Sequence, residues 1–180
     1  MLIKTKIILI VGASGVGKDT LLKTIKNKTK AHLVSRYITR KPDKSEDNFF
    51  VDKDSFLLLK QNGFFVSTWE AHGNHYGIAK NQIISNEVSI ISISRGAIED
   101  FEKAFEDVVT INVTLSREAL RRRLLSRNRE TNEQITDRMN REYKQIKGKN
   151  LIEFDNSKNI KRSSEEFLNL IRKIGNEKPL

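Results

Sequence analysis

Lys6-Ile-Ile-Leu-Ile-Val11 is a near-continuous apolar run that ends in a glycine, the pattern of a strand buried on both faces of a parallel sheet. A helix is predicted to follow from Lys18 to about Lys28. Further apolar runs at Phe64 to Val66, Val88 to Ile93, Val108 to Leu115 and Leu151 to Phe154 predict strands. Between them, helical spacing runs over Asp54 to Gln61 with Gly63 as the stop, Gly96 to Phe105, Ser116 to Arg127, Thr131 to Lys147, and Ser163 to Ile174. Thr131 with Gln134 and Ser163 with Glu166 have the spacing of capping boxes and predict two helix starts. Strands alternating with helices predict an α/β fold with a parallel, helix-covered sheet.

The segment Gly12-Ala-Ser-Gly-Val-Gly-Lys-Asp-Thr20 carries G-x-x-x-x-G-K directly after the first strand and at the start of a helix. That context defines a Walker A phosphate loop. Its glycines let backbone N–H groups turn inward around phosphates, and the helix N-terminus adds positive potential. Lys18 can reach the β- and γ-phosphates of a bound nucleotide. An incidental glycine-rich turn would need lysine, spacing, strand and helix to coincide. Asp19 takes the place where serine or threonine usually follows the lysine; it either meets a metal through water or favours the positive end of the helix.

Composition narrows the picture. The chain has 180 residues, enough for one domain with a real core, and no cysteine, which rules out disulfides, thiolate metal sites and a cysteine nucleophile. Ile7 to Val11, five residues long, falls short of a signal peptide's apolar region and of a membrane span, so a cytoplasmic protein without membrane attachment is expected. Lys plus Arg total 33 against 23 Asp plus Glu, a formal charge of +10. That balance suits nucleic acid, but several lysines (Lys23, Lys26, Lys28, Lys30) read as a solvated helix face. The arginines crowd into Arg117 to Arg141, which suits polyphosphate equally well. No specific nucleic-acid partner is expected.

Beyond the loop, the chain resembles the guanylate kinase group over nearly its whole length, and within it the ribose 1,5-bisphosphate phosphokinases. The stretches that carry the resemblance are Gly17-Lys18-Asp19, Arg36-Tyr-Ile-Thr-Arg40, Trp69-Glu-Ala-His-Gly-Asn-His-Tyr-Gly77 and Ser94-Arg95. The second and third of these are the specific ones. The resemblance implies a three-layer P-loop NTPase fold with a parallel sheet core, formed by one domain over 1–180. It divides that domain into a core (1–35, 79–126, 142–180), a small acceptor-binding insert (about 36–78) and a helical lid (about 127–141).

The same resemblance implies ATP and Mg²⁺ at Gly12, Ala13, Ser14, Gly15, Val16, Gly17, Lys18, Asp19 and Thr20, with the Thr20 hydroxyl facing the metal. Lid residues Arg127, Arg129 and Arg138 are implied on the ATP phosphates or beside adenine, and Asn156 over adenine. For Arg121 to Arg123, surface ion pairs are the expected role. Arg36, Arg40 and Arg95 are implied as holders of acceptor phosphates, with Glu46, His72 and Tyr76 on ribose hydroxyls. Tyr76 and Trp69 could equally be core aromatics, and His72 and His75 ordinary loop residues. Where guanylate kinases read guanine with a carboxylate and a hydroxyl, this chain has Ser67 and Ile78. Leaving the guanine edge unpaired costs about 1–3 kcal/mol per buried polar group, so guanine is disfavoured.

The implied reaction is transfer of the γ-phosphoryl group of ATP to the 1-phosphate of ribose 1,5-bisphosphate, giving 5-phospho-α-D-ribose 1-diphosphate. Alternatives are guanylate kinase or another nucleoside monophosphate kinase, and a non-catalytic guanylate kinase-like interaction module. A monomer and a homodimer are both compatible with the sequence.

Overall fold

The computed structural model describes residues 5–41, 47–83, 87–126, 131, 133, 135, 136, 139 and 146–176. In chain order the elements are β1 (Lys6–Val11), α1 (Lys18–Ile25), β2 (His32–Leu33), β3 (Tyr37–Ile38), β4 (Phe49–Phe50), α2 (Lys53–Gln61), β5 (Phe65–Ala71), β6 (Asn74–Ala79), β7 (Val88–Ser92), α3 (Ile98–Ala104), β8 (Asp107–Thr114), α4 (Arg117–Ser126), β9 (Leu151–Asp155) and α5 (Ile160–Ile174). Short 3-10 turns stand at Lys80–Gln82 and Arg95–Ala97.

A five-stranded parallel sheet has the order β2-β7-β1-β8-β9. Successive strand side chains point to opposite faces, yet Ile7, Ile8, Leu9, Ile10 and Val11 are all fully buried, so both faces of this central strand are covered. The parallel, helix-covered sheet is the one the apolar runs predict, and the arrangement is the three-layer P-loop NTPase fold that the resemblance implies. A second sheet, of four strands in the order β4-β3-β6-β5, is mixed: β6 runs antiparallel to both β3 and β5. The sequence pattern missed β2, β3, β4 and β6. Three of these are two-residue strands, too short to show a period, and they exist through pairing: β2 with β7, β3 with β6, and β4 with β3.

The chain divides into two compact units, 1–9 with 31–109 and 10–30 with 110–180. In the first, Phe56 of α2 stacks on Phe65 of β5 at 4.8 Å, and Tyr37, Val51, Leu59 and Phe64 close around them. Gly77 lies under the Phe65 ring, where a Cβ would come within 2.7 Å of it. In the second, α5 packs on α1, with Phe167 and Ile171 fully buried, and Phe167 meets Phe154 of β9 edge-on at 5.1 Å.

Three expected helix limits move. The first helix stops at Ile25 rather than near Lys28, because Asn27 adopts a left-handed backbone (φ 66°). The last helix begins at Ile160, three residues before the expected Ser163 start. Asn159 caps it, its side-chain oxygen accepting from the Arg162 N–H at 3.0 Å, while Ser163 is fully buried inside the helix. Thr131 accepts at its carbonyl from the Ile135 N–H as in a helix, but Ile146 and Lys147 are not helical, and Gln134 lies outside the described residues. The cap assignment gives a test: Asn159→Ala is expected to lower stability by about 1 kcal/mol in chemical denaturation. An unchanged midpoint would contradict it.

Candidate active site

The turn after β1 is built by glycine backbone that other residues reach only with strain. Gly12, Gly15 and Gly17 have φ of 146°, 101° and 97°. Space imposes the same choice. A Cβ on Gly12 would stand 2.4 Å from the Val113 carbonyl oxygen, and one on Gly17 would stand 2.6 Å from Asn156 Nδ2. The first obstacle is the backbone of β8, which cannot swing aside. Gly17 then caps α1, placing Lys18, Asp19 and Thr20 in its first turn.

The Lys18 ammonium folds back on the turn, donating to the carbonyls of Gly12 at 2.6 Å and Ala13 at 2.9 Å. The positive charge therefore sits inside the turn and braces it. Beside the turn opens a cleft of about 290 Å³ lined by Gly15, Gly17, Thr20, Arg123, Asn156 and Ile160 among others. Thr20 is exposed there. Among the described residues no three His, Asp or Glu side chains converge as a metal cage. The Thr20 hydroxyl is a hard oxygen donor of the kind Mg²⁺ takes, together with phosphate oxygens and water, so the residues present fit that ion. Lys158, also on the cleft rim, donates to both oxygens of Glu166 at 2.6 Å. That hydrogen bond, with one from Arg162, holds the Glu166 carboxyl below the usual range.

Two side chains make bonds that the sequence did not announce. Asn156 is buried, and its amide donates to the Val16 carbonyl at 2.7 Å. Arg123, expected among surface ion pairs, instead donates to the same Val16 carbonyl at 3.1 Å and to the Asn156 carbonyl at 3.4 Å. Sequence reasoning missed this pairing because Arg123 lies 107 residues, and Asn156 140 residues, from Val16.

A second group of candidates lies on the four-stranded sheet. Register pairs Ile38 with Tyr76, Trp69 with Tyr76 and Ser67 with Ile78, so these residues share one sheet face. Arg36 and Arg40 lie two residues to either side of Ile38, beyond the two-residue strand β3. Arg36 Nε donates to Asn48 Oδ1 at 3.2 Å. Trp69 and Tyr76 stack in parallel at 5.6 Å, half-buried and apart from the aromatic core around Phe56. The opposite face carries His75, which stacks on Phe56 and pairs with Glu70 at 3.1 Å, so His75 is a strand residue rather than a loop one. His72 sits exposed in the β5–β6 turn with φ 52°.

Ile78 is fully buried, and the buried Ser67 hydroxyl donates to Asp100 of α3 at 2.5 Å. The turn holding Arg95 and the helix holding Asp100 both pack on β5. Asp100 was not singled out from the sequence; its only signal is its reach to a serine 33 residues away. Glu46, Arg127, Arg129 and Arg138 lie outside the described residues.

A family model described as guanylate kinase matches residues 4–168. A ribose 1,5-bisphosphate phosphokinase of Rhizobium etli is 34% identical, with 91% of this chain and 88% of that protein covered. Another, of Azotobacter vinelandii, is 32% identical, with 93% and 96% covered. The crystal structure of guanylate kinase from Anaplasma phagocytophilum superposes with a TM-score of 0.66 at 19% identity, covering 97% of this chain and 88% of that one.

The glycine geometry predicts a contrast between two substitutions. Gly12→Ala, blocked by backbone and by its φ, should destabilise the protein by about 1–3 kcal/mol or more. Gly96→Ala, whose Cβ meets nothing within 4 Å, should be neutral. Thermal melts of both variants check this, and equal melting temperatures would refute it.

Proposed function

The chain belongs to the guanylate kinase family, and we propose that its phosphoryl acceptor is ribose 1,5-bisphosphate, converted with ATP into 5-phospho-α-D-ribose 1-diphosphate. It is an ATP-dependent kinase, and kinases of this P-loop group use ATP with Mg²⁺. The observation that carries the acceptor reading is the make-up of one sheet face. Arg36 and Arg40 flank the strand whose Ile38 pairs with Tyr76 on that face, while the two positions expected to read a base hold a buried isoleucine and a serine engaged with Asp100. This sheet and its flanks retain groups for phosphates and for a sugar, and have lost the pair that would read a guanine edge. The names of the curated relatives support the same substrate.

The nucleophile would be an oxygen of the acceptor's 1-phosphate, already ionised at neutral pH, so no general base is required. Attack by a hydroxyl would need one. The barrier is repulsion between two polyanions. Lys18 holds the β- and γ-phosphates of ATP, while Arg36, Arg40 and Arg95 hold the acceptor's phosphates through bidentate guanidinium contacts. Thr20 would hold the Mg²⁺, which neutralises phosphate charge when bound. Arg127 and Arg138 are assigned to the charge on the transferred group, and Arg129 to the nucleotide. Glu46, His72 and Tyr76 are assigned to the ribose hydroxyls. Among the described residues no helix is long and apolar enough to cross a membrane, and we place the protein in the cytoplasm.

One observation favours a second reading, guanylate kinase activity. Asp100 brings a carboxylate to Ser67 from α3, near where the guanine-reading carboxylate was expected to be lost. The two readings separate in one assay. With Mg-ATP, the purified protein should consume ribose 1,5-bisphosphate far faster than GMP; the reverse preference would overturn the acceptor assignment and leave the fold untouched. Two variants then locate the chemistry. Lys18→Ala should cut kcat at least about 100-fold without unfolding the chain. Arg40→Ala should chiefly impair use of the acceptor, and an unchanged acceptor KM and kcat would count against its role.

A further inference from the structure

A trans peptide is planar, so its C=O and N–H point in opposite directions. In the unit that joins Val16 to Gly17, the carbonyl is held by two donors at once, Asn156 Nδ2 at 2.7 Å and Arg123 Nη1 at 3.1 Å. The N–H of Gly17 must therefore point away from both side chains, toward the inside of the turn. Were the peptide to rotate by half a turn, it would present the Val16 carbonyl to a bound phosphate, an oxygen facing oxygens. The cost of that rotation is set by the two bonds lost, one of them charge-assisted, and by leaving the buried Asn156 amide without its acceptor.

The local geometry suits this role. Gly17 has φ 97°, and a Cβ there would meet Asn156 Nδ2 at 2.6 Å and Arg123 Nη1 at 3.2 Å, so the glycine admits both side chains. Arg123 also donates to the Asn156 carbonyl at 3.4 Å, which ties the end of α4 to the segment after β9. Neither residue needs to touch the nucleotide in order to act.

We propose that Arg123 and Asn156 are positioning residues that set the direction of the Val16–Gly17 peptide and so aim the Gly17 N–H at a bound phosphate. This rests on the reading of Gly12 to Thr20 as a phosphate cradle. It differs from the role that the family resemblance implies for Asn156, a contact with adenine, because its effect falls on the phosphates.

The probe that separates the two roles is inorganic tripolyphosphate, which has no base. Competition against a fluorescent ATP analogue would give dissociation constants for ATP and for tripolyphosphate, each with Mg²⁺, in the wild type and in Asn156→Ala, Arg123→Ala and Asn156→Asp. Both alanine variants are expected to weaken the two ligands by the same factor, about ten-fold for the loss of one such bond. Asn156→Asp, equal in size but presenting an acceptor to the Val16 carbonyl, should weaken both at least as much, while the acceptor KM stays at the wild-type value. Thermal melts identify any variant that has unfolded, and Arg123→Lys, which keeps the charge, should recover part of the affinity. Loss of ATP binding with tripolyphosphate unchanged would overturn the proposal and return Asn156 to the base. Unchanged affinity for both ligands would overturn it as well. Failure of wild-type protein to bind tripolyphosphate would overturn the cradle itself.

Discussion

The turn between Val11 and Lys18 has no room on either flank, and the chemistry of the molecule follows from that constraint. Gly12 lies against the backbone of Val113, and Gly17 lies against the side chains of Asn156 and Arg123. With both ends seated on other elements, the loop keeps its left-handed glycines and starts α1 in a set direction. Lys18 is thereby brought back over the carbonyls of Gly12 and Ala13. A lysine on a slack loop would spend its charge in solvent; here the charge is held where a triphosphate would bind. The fully buried run from Ile7 to Val11 anchors the turn from behind, so the apolar core and the glycine turn share one strand.

The four-stranded sheet, where we propose that the acceptor binds, obeys a different logic. Its face is assembled by register between short strands, and the informative residues are those that do not read a base. Ile78 offers no polar atom, and the hydroxyl of Ser67 is turned to Asp100. Substrate choice in such a site comes as much from what is left unpaired as from what is bonded. Arginines at Arg36 and Arg40, flanking a strand of two residues, favour an anionic partner without fixing its shape.

Local signals were legible in the sequence, and distant ones were not. β1 was read with its observed limits because five consecutive apolar residues followed by a glycine admit few other structures. The phosphate loop was read because its parts are contiguous. The helix from Ile160 was started late, since Ser163 and Glu166 imitate a cap that Asn159 in fact supplies. The strands at Tyr37–Ile38 and Phe49–Phe50 carry no period of their own and are defined only by their partners. Arg123 looked like one member of a basic surface run, and nothing local distinguishes it from Arg121 or Arg122. Its bond to Val16 spans most of the chain, and Asp100 reaches Ser67 in the same non-local way.

The central claim is that the turn from Gly12 to Thr20 receives the triphosphate of ATP. A crystal structure with a non-hydrolysable ATP analogue tests it most directly. The account predicts phosphates seated within the turn, with the Lys18 ammonium moved from the Gly12 and Ala13 carbonyls onto phosphate oxygens. An analogue bound elsewhere, with the turn empty and Lys18 still on those carbonyls, would contradict it.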